Sequence, residues 1–136
     1  MSYITQADLE TRFGADEIVR LADRDGDSAA DAEVVAAAIA DADALIDSYL
    51  AGRFTLPLTQ VPTTLVRLAC AIARYHLYDD KPGEHVAKEY SAALRALEKI
   101  ANGEIHIGVD GADPAGSSGA PESSSGASQF DDLTGY

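Results

Sequence analysis

Apolar residues recur at spacings of three and four along most of this chain, and short polar or Gly/Pro-containing breaks divide them into five helical segments. Thr5 is placed to cap a short helix, "QADLETRF", which Gly14 ends in a left-handed turn. Asp16 is placed to cap a second, "EIVRLA", which runs into an aspartate-rich loop. Asp31 opens the longest periodic segment, "AEVVAAAIADADALIDSYLAG", where Val35, Ile39, Ala42, Ile46 and Tyr49 make one apolar stripe and Gly52 is the stop.

"RFTLPLTQVP" reads as a structured connector, since Pro57 and Pro62 force extended backbone at the residues before them. "PTTLVRLACAIARYHLYDD" then resumes the helical pattern, with Pro62 near the first turn. Leu65, Leu68, Ile72 and Tyr75 form one apolar row, and Val66, Cys70, Ala73 and Leu77 a second. A helix apolar on two sides is central and packed by several neighbours. Arg67, Arg74 and Lys81, at intervals of seven, are expected to share its remaining face. After the turn "KPGEH", a third long helix, "VAKEYSAALRALEKIA", stops at Asn102–Gly103, and "EIHIGV" alternates as a short strand. A lone strand needs a partner, which a neighbouring subunit can supply.

From Asp110 the chain becomes Gly-, Ser- and Pro-rich and cannot bury enough apolar surface to offset its ordering entropy, so a flexible tail is expected. It ends in "FDDLTGY", where Phe130, Leu133 and Tyr136 are candidate anchors for another surface. The expectation is therefore an all-α, compact helical bundle over residues 1–109, with two short N-terminal helices, three longer ones and a short C-terminal strand. An extended tail covers 110–136.

Composition adds two points. Ala carries much of the apolar content and Trp is absent, which suits close-packed helices. The net charge of −13 argues against binding nucleic acid or an anionic membrane surface. The charge is also segregated. Residues 1–52 hold twelve acids against three bases, residues 53–99 five acids against seven bases, and residues 100–136 six acids and no base. Such an order suits an acidic part of one subunit meeting a basic part of the next. The N-terminus lacks the basic start and apolar run of a signal peptide, and no apolar run approaches the roughly 20 residues of a membrane span. Synthesis in a cytoplasm follows. One cysteine, Cys70, excludes an intrachain disulfide and lies on an apolar face as a buried small hydrophobe.

Candidate chemistry is sparse. Asp23, Asp25 and Asp27 match the first, third and fifth positions of a calcium loop, whose alternation turns successive carboxylates toward one cation. The sixth position is Ser28 instead of Gly and the twelfth is Val34 instead of a bidentate Glu, while Asp31 and Glu33 stand at irregular positions. The competing explanation is a solvated turn in which Asp31 caps the following helix. Asp43 and Asp47, four apart, form an acidic face suited to bases of another subunit, with Arg53 and the Arg67, Arg74, Lys81 row as its candidates. His76, His85 and His106 share no metal-ligand spacing, and no phosphate loop, nucleophile elbow or zinc-protease motif occurs. No enzymatic activity and no cofactor are expected, beyond a weakly held divalent cation at the aspartates.

"YITQADLETRFG", "ADADALIDSYLAGRFTLPL" and "VPTTLVRLACAIARYHLYDD" together resemble the small helical protein of Mu-like prophages and related tailed phages, encoded in head-and-tail morphogenesis regions. "IDSYLAGRF-LPL" followed by "VP" is the most specific part of a resemblance that covers about residues 2–109. The aspartate loop falls inside it, and the tail is matched only at its aromatic end. The family looks related to the adaptor, or head-completion, proteins beneath the portal. The resemblance implies a helical bundle that assembles with itself as a ring of about twelve subunits, a dodecamer. The ring would dock on the portal protein and extend the DNA channel, presenting a surface to the next connector or tail protein. It would reside in the virion, at the head–tail interface, and let DNA pass without specific binding. Two alternatives stay open: a small acidic calcium-binding module, and a tail-terminator or assembly protein of the same phage.

Overall fold

A computed structural model describes residues 2–108 of the chain. They form five helices: α1 Gln6–Phe13, α2 Ala15–Ala22, α3 Ala32–Leu50, α4 Thr63–Leu77 and α5 Glu84–Ala101. The fold class is all-α, and no strand occurs among the described residues.

The helix starts follow local chemistry. Thr5 and Asp8 make a reciprocal capping box, in which Asp8 N–H donates to Thr5 Oγ1 at 3.3 Å and Thr5 N–H donates to Asp8 Oδ2 at 2.8 Å. Gly14, at φ 96°, both ends α1 and opens α2, so α2 starts one residue before Asp16, which sits in its first turn. No atom lies within 4 Å of where a Cβ would stand there, so backbone conformation and not space asks for glycine. At the far end, α5 closes in a Schellman motif around Gly103 at φ 84°. Glu104 N–H reaches Lys99 O at 2.8 Å and Gly103 N–H reaches Ile100 O at 3.1 Å.

α4 is the central helix. It buries Leu65, Leu68, Ala69, Cys70, Ile72, Ala73 and Leu77 and packs against α3, α5 and α1. The two apolar rows read from the sequence are thus both used. On α3 the buried stripe is Val35, Ala38, Ala42, Ile46 and Leu50, rotated slightly from the expected one, with Ile39 and Tyr49 left half-buried at its edge. Ala38 and Ala42 on that face carry little bulk, which lets backbones approach. Phe54 and Leu58 of the connector, joined through a cis Leu56–Pro57 bond, are buried too. One contiguous cluster gathers these side chains, and no polar or charged residue is buried among the described residues.

Two expectations are corrected. Residues 104–108 form no strand; Ile107 is buried against the core and Ile105 half-buried, while Ile105 N–H caps Lys99 O at 3.3 Å. The alternation reflects an extended segment lying on the helices instead of pairing with another strand. Lys81 does not continue the Arg67–Arg74 row, because α4 ends at Leu77 and Tyr78 turns to extended backbone. Pro82 and Gly83 then precede α5, leaving Lys81 exposed in the loop. Val109 and the tail, with Phe130, Leu133 and Tyr136, lie outside the described residues.

Candidate interaction surfaces

The loop between α2 and α3 brings Asp23, Asp25 and Asp27 together and adds Asp31. One carboxylate oxygen from each lies within 4.8 Å of the others. The same oxygens bind the loop's own backbone. Asp23 Oδ1 accepts from Gly26 N–H (2.8 Å) and Asp27 N–H (3.1 Å), and its Oδ2 accepts from Ser28 N–H (2.9 Å). Asp25 accepts from Asp27 N–H, Asp27 from Ala29 N–H and Asp31 from Arg24 N–H. Gly26 and Ser28 both take positive φ, at 80° and 66°, so that these amides converge on the carboxylates. Desolvation opposes the charge of Asp23, but the Ser28, Gly26 and Asp27 donors outweigh it and hold the carboxyl below its ordinary value. Asp25 moves the other way: the Asp27 N–H favours its charge, yet desolvation and the Asp27 and Asp23 side chains push it up. Asp31 stands at the N-cap of α3 but points its side chain back to Arg24 N–H, making no side-chain cap bond. The backbone contacts account for the aspartates without an ion.

Arg24 fastens this loop to the end of α4. Its Nη2 donates to Leu77 O at 2.8 Å, Nε to Leu21 O at 3.2 Å, and Nη1 meets Asp79 at 3.2 Å. A cation beside the carbonyls of a helix C-terminus is favourable. Only the fold shows this tie, because its partners lie 53 and 55 residues away in sequence.

Asp43 and Asp47, one turn apart on α3, face the N-terminal segment. Tyr3 N–H donates to Asp43 Oδ1 at 2.9 Å and the Tyr3 hydroxyl to Asp47 Oδ1 at 2.5 Å. Tyr3 is buried, and burial together with the Asp47 carboxylate pushes its phenol well above the ordinary value. The acidic pair expected to meet another subunit therefore already holds a ligand within the chain.

Arg74 is likewise engaged internally. It forks onto Glu17, Nε to Oε2 at 2.7 Å and Nη2 to Oε1 at 3.1 Å, and reaches Glu89 at 3.3 Å. Its guanidinium lies 4.2 Å from the Phe13 ring centroid. One side chain thereby clasps α2, α4 and α5 and lies over the ring of the last residue of α1. Arg53 packs against the α5 terminus: a Cβ on Gly103 would stand 2.9 Å from Arg53 Nη1. Arg67 is exposed and forms no ion pair among the described residues.

Beside Arg67 runs a groove of about 580 Å³ between the end of α1, α4 and α5. Arg12, Arg67 and Arg74 line it with one carboxylate, Glu89, and the small side chains of Ala71, Ala93 and Ala96 leave it room. A second feature lies between α4 and α5, where Tyr75 and Tyr90 stack at 3.9 Å and 7° with His76 edge-on to both at 5.9 Å. Tyr75 and Tyr90 are half-buried and His76 is exposed. Neither feature is expected from the sequence, where Tyr75 reads as part of an apolar row. Cys70 is fully buried, and burial pushes its thiol up against the pull of nearby Arg12. His76, His85 and His106 do not come together; His85 pairs with Glu89 one turn on, at 3.1 Å. Among the described residues no helix is long and apolar enough to cross a membrane.

Comparison with known proteins points the same way as the sequence motifs. The chain is 40% identical over 113 residues to Gene product J of Escherichia phage Mu, covering 81% of this chain and 79% of that protein. It is 44% identical over 72 residues to the Mu-like prophage FluMu protein gp36 of Haemophilus influenzae, covering 53% of this chain and 51% of that protein. The family described as Bacteriophage Mu, Gp36 matches residues 3–125. On this extent of match, the chain belongs to the Bacteriophage Mu Gp36 family of phage and prophage proteins.

Proposed function

We propose that the protein is a non-enzymatic structural component of a tailed-phage virion, a head–tail connector of the adaptor or head-completion kind. It assembles as a ring of about twelve copies, docks on the portal protein and extends the DNA channel toward the next connector or tail protein. The observation that carries this reading is membership of a family with members in phage Mu and a Mu-like prophage, matched over residues 3–125. The architecture supports it. A single helical core, tied by the largely shielded Arg74–Glu17 pair, makes a stiff building block. Excess acidic charge on its surface suits a channel that DNA must slide through without adhering. Mixing the purified protein with the portal of the same phage and weighing the products by native mass spectrometry tests the reading. A portal-bound ring is expected, and no association at micromolar concentrations overturns it.

The convergence of four carboxylates within 4.8 Å favours one second reading, a weak calcium-binding module. Calorimetric titration of calcium into the native chain and an Asp25→Ala variant separates the two. Sub-millimolar binding that the variant loses supports the module, and its absence leaves the loop as a self-hydrogen-bonded turn.

A further inference from the structure

The groove beside Arg67 has an unusual charge for this molecule. Three arginines and one glutamate line it, in a chain of net charge −13. Arg74 is neutralised by Glu17 and Glu89, but neither Arg12 nor Arg67 forms an ion pair among the described residues. Between these cations the wall is apolar, made by Phe13, Leu68 and alanines of α4 and α5. An occupant that fits must carry apolar side chains flanking negative charge.

We infer that the groove is filled by the chain's own C-terminal segment, Phe130–Tyr136. "FDDLTGY" places Asp131 and Asp132 between Phe130 and Leu133, and the whole stretch 109–136 holds five acids and no base. Its carboxylates match Arg12 and Arg67, and Phe130 and Leu133 match the apolar wall between them. Length permits the contact. The 21 residues from 109 to 129 span up to about 70 Å when extended, against a domain radius of gyration of about 13 Å. A segment on the same chain sees the groove at an effective concentration on the order of millimolar, so at micromolar protein it outcompetes a second copy. This inference does not depend on the connector reading and stands or falls separately from it.

Because the chain contains no tryptophan, Phe130→Trp in the full-length protein gives a single tryptophan at the proposed contact, excited selectively beyond the tyrosine absorption band. Expected are a blue-shifted emission maximum and reduced acrylamide quenching relative to free tryptophan amide. Both should be identical at about 1 µM and about 100 µM, far below the millimolar effective concentration of a tethered segment. Adding Arg67→Glu should move the emission to the solvent value while leaving far-UV helicity unchanged, since Arg67 is exposed and ties no helix. Combining Arg67→Glu with Asp131→Lys and Asp132→Lys should restore the shift by reversing both signs. Emission like that of free tryptophan overturns the inference. So does a shift that survives Arg67→Glu, which places the ring elsewhere, or one that vanishes on dilution, which makes a second copy the occupant.

Discussion

Arg74 joins α2, α4 and α5 through one side chain, so its removal tests that clasp directly. Its side chain is 13% exposed and that of Glu17 16%, so the forked pair is largely shielded from water. Hydrogen bonds to a charged partner contribute about 1.5–3 kcal/mol, and removing one member also leaves the other charge under-solvated. Stacking over Phe13 at 4.2 Å adds roughly 0.5–1 kcal/mol, whereas Glu89, 38% exposed, adds no more than about 0.5 kcal/mol. Arg74→Ala is therefore expected to cost about 3 kcal/mol. At an m-value near 2 kcal/mol/M that lowers the urea midpoint by about 1.5 M. Arg74→Lys keeps the charge but not the fork and should recover about half. Equilibrium urea denaturation followed by far-UV circular dichroism measures these, and a double-mutant cycle with Glu17→Ala isolates the pair. The expected coupling is about 2 kcal/mol with Glu17 and near zero with Glu89. A total loss below about 1 kcal/mol, or equal coupling to both glutamates, refutes the reasoning.

Other contacts make shorter predictions. Gly103→Ala forces a side chain into φ 84° and within 2.9 Å of Arg53 Nη1, so it should cost about 1–2 kcal/mol in the same denaturation assay. Tyr3→Phe removes the hydroxyl donated to Asp47 and should cost about 1 kcal/mol; an unchanged midpoint would mean the N-terminal segment is not latched in solution. In the aspartate loop, side-chain carboxyl NMR should show Asp23 titrating below the ordinary carboxylate range and Asp25 above it. The sign follows for stability. The depressed Asp23 contributes above its unfolded pKa, and this is lost as pH falls through the lower folded value; Asp25 contributes in the opposite sense. Titration in the reverse order discards the account of the loop's backbone donors.

The helices were legible because each carries its period within its own residues. Val35, Ala42 and Ile46 mark α3, and the double row from Leu65 to Leu77 identifies α4 as central, with no knowledge of a partner needed. The caps were legible where the cap is local, as with Thr5 and Gly103, and misread where a side chain had a better option. Asp31 occupies the N-cap position yet binds Arg24 N–H, a donor that exists only once the loop has folded back. "EIHIGV" showed period two, but that period says only that alternate residues face an apolar surface. Here the surface is helical, and Ile105 and Ile107 lie on it unpaired. The interaction residues were the least legible. Asp43 and Asp47 meet a tyrosine 40 and 44 positions away, and Arg74 meets a glutamate 57 away, pairings that no spacing rule encodes.

A charged residue read from sequence can be an internal tie or part of an outer surface, and burial with a bidentate partner distinguishes the two. Arg24, Arg53 and Arg74 lie against parts of their own chain, and Asp43 and Asp47 hold Tyr3. Breaking such contacts to form others across a subunit boundary would expose the charge left behind, so these groups are poor choices for an interface in the proposed ring. Arg67 and Lys81 are exposed and without an ion pair among the described residues, so a neighbour can neutralise them at little cost. If the chain's own C-terminal segment occupies the groove, Arg67 is covered in the isolated subunit, and Lys81 remains as the freer cation of the two. Subunit contact through Arg67 would then require the segment to leave. Assembly through that face should accordingly be faster in a chain lacking residues 130–136, whereas assembly through the Lys81 loop should be indifferent to the deletion.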